Sequence, residues 1–167
     1  MFIIIIDIQD IFINTNYMEL IIIRGRQNDG KTTTATMLHN ALVGRSTAIR
    51  LLKTNGDYLP VWKEVFDFRS VIDIGKKRIA IISAGDDDDS VAIEMKELLY
   101  EYRPDIMVVC ARAYDREGST YRMLKENYSD IMKAENEFWI EYVEDQDRVM
   151  EIKQGIVEKI VNTILNK

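Results

Sequence analysis

A chain of 167 residues, 47% hydrophobic and 30% charged, is long enough to bury about two thirds of its unfolded surface, and so to form one domain around a proper core. Its 22 basic and 28 acidic residues leave a net charge of −6, which argues against a nucleic-acid backbone or an anionic membrane as the main partner. A single cysteine, Cys110, and a single histidine, His39, exclude a disulfide framework, disfavour zinc and point to a reducing cytoplasm.

The first 17 residues are dominated by Ile, Phe, Asn, Asp and Tyr. The run 2–6 is too short for a signal-peptide core, has no basic residue before it and meets Asp7 and Asp10, so export is not expected. Residues 1–17 read either as an upstream extension before Met18 or as an extra edge strand over 2–8, and 18–167 as a single domain. Residues 20–23 then read as a buried strand and 32–43 as the helix behind it. Between them, Gly25 to Thr32 spells GxxxxGK[ST]. In that setting the glycines let the backbone wrap round a phosphate, successive N–H groups point inward, and the helix N-terminus adds about half a positive charge. Gly25, Arg26, Gln27, Asn28, Asp29, Gly30, Lys31, Thr32 and Thr33 are the expected phosphate-binding set. Lys31 is expected to reach the β- and γ-phosphates of a triphosphate, and the Thr32 hydroxyl to sit on Mg2+.

Residues 46–53 form a second expected strand, closed by turn chemistry at Thr54, Asn55, Gly56 and Asp57, and 60–66 a short helix. Two strand-like runs, 68–74 and 78–83, are separated by Gly75, Lys76 and Lys77, a gap that suits a hairpin and cannot hold a crossover helix. Residues 91–102 place Ala92, Met95, Leu98, Leu99 and Tyr102 on one helical face, and 106–110 read as a buried strand. A helix over 119–132, a strand over 138–143 and a closing helix over 149–165 follow, the last with a core stripe at 149, 152, 156, 160 and 164. The expected fold is a three-layer α/β sandwich built on a phosphate-binding loop. Its sheet is mainly parallel, of about five to six strands, with one antiparallel hairpin strand.

Phosphoryl chemistry also needs a carboxylate for the metal, usually at the carboxyl end of a neighbouring strand. Asp86, behind the apolar run 79–82 and a turn at Ala84 and Gly85, is the preferred candidate, with Asp87, Asp88 and Asp89 as alternatives. Ser83 holds the position where an acid would ordinarily cap the strand. In the competing reading these acids only favour the next helix N-terminus, with Asp89 or Ser90 as its N-cap. Arg112 and Arg116, followed by Gly118, Ser119 and Thr120, suggest a second anion site in which Arg112 is preferred. It would stabilise transition-state charge or grip an acceptor; a solvated loop whose Ser119 caps its helix is the equal alternative. Asp67 and Arg69 flank Phe68 where, by positional analogy, a hairpin senses the γ-phosphate. His39 reads as an ordinary surface or half-buried histidine in preference to a catalytic base.

From the strand at Leu20 onward the chain resembles the P-loop nucleoside triphosphatase superfamily, on the residues Gly25 through Thr32. Asp67-Phe68-Arg69, Ile82-Ser83-Ala84-Gly85-Asp86, Cys110-Ala111-Arg112 and Gly118-Ser119-Thr120 are also similar to segments of small bacterial P-loop ATP-binding proteins. The resemblance implies nucleotide and magnesium binding by Gly30, Lys31, Thr32 and their neighbours, and supplies no reaction. No [NT]KxD sequence is present to read guanine, so ATP is the expected nucleotide; no LSGGQ-like segment and no arginine-rich lid occur either. Three functions follow. The first is ATP-Mg binding with slow hydrolysis, with Lys31, Asp86 and Arg112 as catalytic residues and Thr32 and Asp86 on the metal. The second is transfer of the γ-phosphoryl group to a small acceptor held by Arg112 or Arg116. The third is a nucleotide-dependent switch for a protein partner, whose hairpin and Asp86 loop rearrange. An acceptor pocket beside the loop would favour the second, and a flat, exposed apolar hairpin face the third.

Overall fold

Strand β1 (Glu19–Gly25) is buried continuously from Leu20 to Gly25, a pattern that requires cover on both faces of a sheet. The computed structural model describes residues 17–54 and 67–166. The readings for residues 1–16, for the turn at 55–57 and for a helix over 60–66 lie outside the described residues. The other elements are α1 (Lys31–Val43), β2 (Ala48–Thr54), β3 (Phe68–Ile74), β4 (Lys77–Ile82), α2 (Asp88–Tyr102), β5 (Ile106–Arg112), α3 (Thr120–Tyr128), β6 (Glu137–Trp139) and α4 (Gln146–Leu165). Among the described residues they form one mixed six-stranded sheet in the order β2-β3-β4-β5-β1-β6.

Period-two alternation divides the core. Ile21, Ile23, Phe68, Ile72, Ile79, Ile81 and Val108 pack with α1 and α4 on one face. Leu20, Ile22, Val71, Ala80, Ile82, Met107 and Val109 pack with α2 and α3 on the other. Helix, sheet and helix thus make three layers. Among the described residues the single reversed strand is β3, antiparallel to both β2 and β4, while β4, β5, β1 and β6 run parallel. The hairpin is tighter than its three-residue gap implied, because Lys77 already pairs with Ile74 and Gly75 turns the chain at φ 59°.

Several boundaries differ from expectation, among them the start of α4, at Gln146 rather than 149 because the Asp145 carboxylate accepts from the Asp147 N–H. Helix α2 starts at Asp88 because the Asp87 carboxylate, not Asp89 or Ser90, caps the Ser90 N–H. Helix α3 ends at Tyr128 and tightens into a 3-10 turn over Ser129–Ile131, where Asn127, Ser129 and Asp130 favour local side-chain bonding over helix. Strand β6 is Glu137–Trp139 and does not reach 143. Its one partner among the described residues, β1, ends at Gly25, and just past β6 the Ile140 N–H donates to the Arg24 carbonyl at 2.8 Å. No helix among the described residues is long and apolar enough to cross a membrane.

Candidate functional site

The carboxyl ends of β4, β5, β1 and β6 and the start of the reversed β3 share one edge of the sheet. Between β1 and α1 the chain turns through Asn28 (φ 66°) and Gly30 (φ 86°), left-handed conformations that asparagine tolerates and glycine favours. Inside the loop, Asp29 accepts from the Arg26 N–H at 2.6 Å and Lys31 Nζ donates to the Arg26 carbonyl at 2.7 Å. The N-cap of α1 is Gly30, which offers no side chain, and the first turn carries no acid. By contrast, α2, α3 and α4 are capped by Asp87, Ser119 and Asp145. The amides at the head of α1 are therefore left for an anion, as an uncapped helix N-terminus allows. They face a cavity of about 300 Å3 whose walls include Gln27, Asn28, Lys31, Thr32, Thr33, Asp67 and Asp86.

Thr32 Oγ1 donates to Asp67 Oδ1 at 3.0 Å. Asp67 is held there by a latch between β3 and β4: the Phe68 N–H donates to Ser83 Oγ at 2.7 Å, and the Ser83 N–H to the Phe68 carbonyl at 3.0 Å. Ser83 thus stands at the strand end where an acid is ordinarily found, and uses its hydroxyl to place an acid from the neighbouring strand. A hydroxyl and a carboxylate oxygen side by side are hard donors of the kind Mg2+ takes. Asp86 lies at the same edge with a side chain 65% exposed, bonded to Arg112 Nε at 3.0 Å. Arg112 also reaches Gln27 Oε1 at 3.5 Å, so it spans from the loop to Asp86. Gly85 lets this segment approach β5: an added Cβ would lie 2.6 Å from the Cys110 carbonyl carbon and overlap its oxygen.

Beyond Asp67 and Asp86 lies a second cavity of about 250 Å3, walled also by Phe68, Asp87, Val91 and Glu94. Asp87, Asp88 and Asp89 bring their carboxylates within 4.8 Å of one another. Asp87 is meanwhile engaged as the α2 cap, and the Ser90 hydroxyl bonded to it holds its carboxyl below the usual range. The suggested second anion site is less open. Ser119 caps its own helix, accepting from the Arg122 N–H at 3.2 Å, and the Thr120 hydroxyl donates to the Gly85 carbonyl at 2.9 Å. Arg116 is exposed, its guanidinium 5.7 Å from the Tyr114 ring.

His39 is fully buried rather than at the surface or half-buried, with Nδ1 3.0 Å from Ser70 Oγ and its ring edge-on to Phe68; burial lowers its pKa to about 4. It ties α1 to β3 and does not line either cavity. Cys110 lies under the loop near the Lys31 carbonyl, its thiol pushed up to about 12 by burial. Two buried cations were not singled out from the sequence. Arg24 lies between the rings of Tyr121 and Trp139, 3.3 and 4.4 Å from their centroids, and donates to the Ala113 carbonyl at 2.6 Å. Lys153 comes from α4 to the back of the loop. No protein-family model, curated protein or solved structure matches the chain.

Proposed function

We propose that the protein is a P-loop enzyme that binds ATP-Mg at Gly25 to Thr33 and hydrolyses it slowly. The observation that carries this reading is the pairing of Thr32 with Asp67 beside Lys31, at the one described α-helix whose N-terminus has no side-chain cap. Thr32 and Asp67 would hold the magnesium ion, which supplies charge neutralisation at the phosphates. Lys31 exchanges the Arg26 carbonyl for phosphate oxygens. Arg112 and Asp86 flank the cavity where the γ-phosphate would lie. Water attacks the γ-phosphorus, the bond to the bridging oxygen breaks, ADP leaves with that oxygen, and the proton of the attacking water passes to solvent.

The second cavity favours the kinase alternative over the protein-partner switch. It adjoins the first through Asp67 and Asp86, as an acceptor site must. Its carboxylates, Asp67, Asp86, Asp87 and Glu94, repel a phosphorylated acceptor and suit a neutral or cationic hydroxyl compound. The hairpin offers no flat apolar face among its described residues, since Phe68 and Ile72 pack on one side and Val71 on the other.

Thermal stabilisation by nucleotides with and without magnesium tests the reading. ATP-Mg and ADP-Mg should raise the melting midpoint of the full chain, and Lys31→Ala should weaken ATP binding by about 2 to 5 kcal/mol. Equal ATP affinity in Lys31→Ala would refute the assignment.

A further inference from the structure

Lys153 heads the buried stripe of α4 that continues through Ile156, Val157 and Ile160 into the core. A lysine at such a place ordinarily runs its stem along the apolar surface and puts its charge in water. Here the residue is only 8% exposed, and its end is packed against Gly30, the N-cap of α1. A Cβ on Gly30 would lie 2.6 Å from Lys153 Cε and overlap Nζ. The ammonium makes no hydrogen bond or ion pair with any described residue; burial pushes its pKa below the ordinary value, and Asp29 opposes this only through space.

The placement is doubly unfavourable without an anion. A buried cation lacks solvation, and the head of α1 carries partial positive charge of its own. A methionine would fill the same volume with neither penalty. Both terms reverse in sign once a polyanion occupies the loop. We infer that Lys153 is a second phosphate-binding cation, which joins Lys31 and the α1 amides in holding the polyphosphate of the bound nucleotide. This rests on the nucleotide reading above. Lys153 approaches from α4, against the face of the sheet shared with α1, and contacts the loop at Gly30 rather than at the Thr32–Asp67 pair. Its contact is therefore with phosphate charge, independent of the base and of the metal.

The test is ADP and inorganic triphosphate binding by calorimetry, with melting midpoints, on the full chain and on Lys153→Met, Lys153→Gln and Lys31→Ala. Either Lys153 variant should melt at or above the wild type when ligand-free, yet bind both ligands about 10- to 100-fold more weakly, the loss for a charge-assisted bond. A smaller ligand-induced rise in the midpoint should accompany it. A variant that melts lower while binding both ligands as the wild type does would make Lys153 a packing residue and overturn the inference. Loss of binding in Lys31→Ala with full binding in both Lys153 variants would remove the inference alone. Absence of binding to the wild type would remove the nucleotide reading as well.

Discussion

Acidification should loosen α1 from the sheet through one group, His39. Its pKa is lowered from 6.5 to about 4 by burial, so the unfolded chain binds a proton that the folded chain refuses. The stabilisation is present above pH 6.5 and is lost as pH falls from there toward 4. At pH 5 the unfolded form is about 30 times more favoured by protonation than the folded form, which amounts to about 2 kcal/mol; at pH 7.5 the same term is about 0.1 kcal/mol. Carboxylates such as Asp73, held low by its Arg78 hydrogen bonds, titrate at lower pH and contribute to the total. The comparison must therefore be with His39→Gln, which does not titrate and can still bond Ser70. Urea unfolding of both proteins at pH 7.5, 6 and 5 should show the wild type losing about 2 kcal/mol more than the variant over that range. Parallel pH profiles would refute the assignment of a neutral, buried imidazole, and with it this account of how the helix bearing Lys31 and Thr32 is anchored.

The two acids at the sheet edge should separate by turnover. If the proposed ATP-Mg function holds, Asp67→Asn, which removes the charge bonded to Thr32, should lower magnesium-dependent ATP turnover by about 10- to 100-fold, whereas Asp86→Asn, exposed and paired with Arg112, should lower it less; the reverse order would favour Asp86 as the metal carboxylate. Gly85→Ala should destabilise the fold by about 1 to 3 kcal/mol, because the new Cβ meets backbone at Cys110 rather than a movable side chain. Thermal melts decide it, and a wild-type midpoint would show that the loop can move away from β5.

Most of the fold was legible because burial on both faces leaves continuous apolar runs and short gaps leave few topologies. The hairpin from Phe68 to Ile82 illustrates this: no crossover fits between its strands, so one strand had to be reversed. Element ends were less legible where a side chain decides them. Asp87, Asp88 and Asp89 are all competent caps, and only the geometry of the turn selects Asp87. The short β6 shows the same limit from the other side, since its length is set by where β1 leaves the sheet and not by its own residues.

Within the candidate site, the closed turn over residues 25–32 was legible because its contacts are local: a carboxylate three residues from its amide, and a lysine five residues from its carbonyl. Asp67 and Lys153 are long-range additions, and each is disguised by its own segment. Asp67 looks like a hairpin flank until the Ser83 latch brings the start of β3 to the end of β4. Lys153 sits one residue off an apolar stripe whose helical period predicts core at 152 and 156, so it reads as a neighbour of the core rather than a member of it. What could have marked it is the glycine at the other end of the contact. Gly30 satisfies the motif by its left-handed φ alone, but the space its missing Cβ leaves is filled by a cation from α4. A position that needs glycine for its backbone and again for a neighbour's charge links the first loop of the described chain to its last helix. Any anion bound at α1 then acts on the α1–α4 packing as well as on the loop.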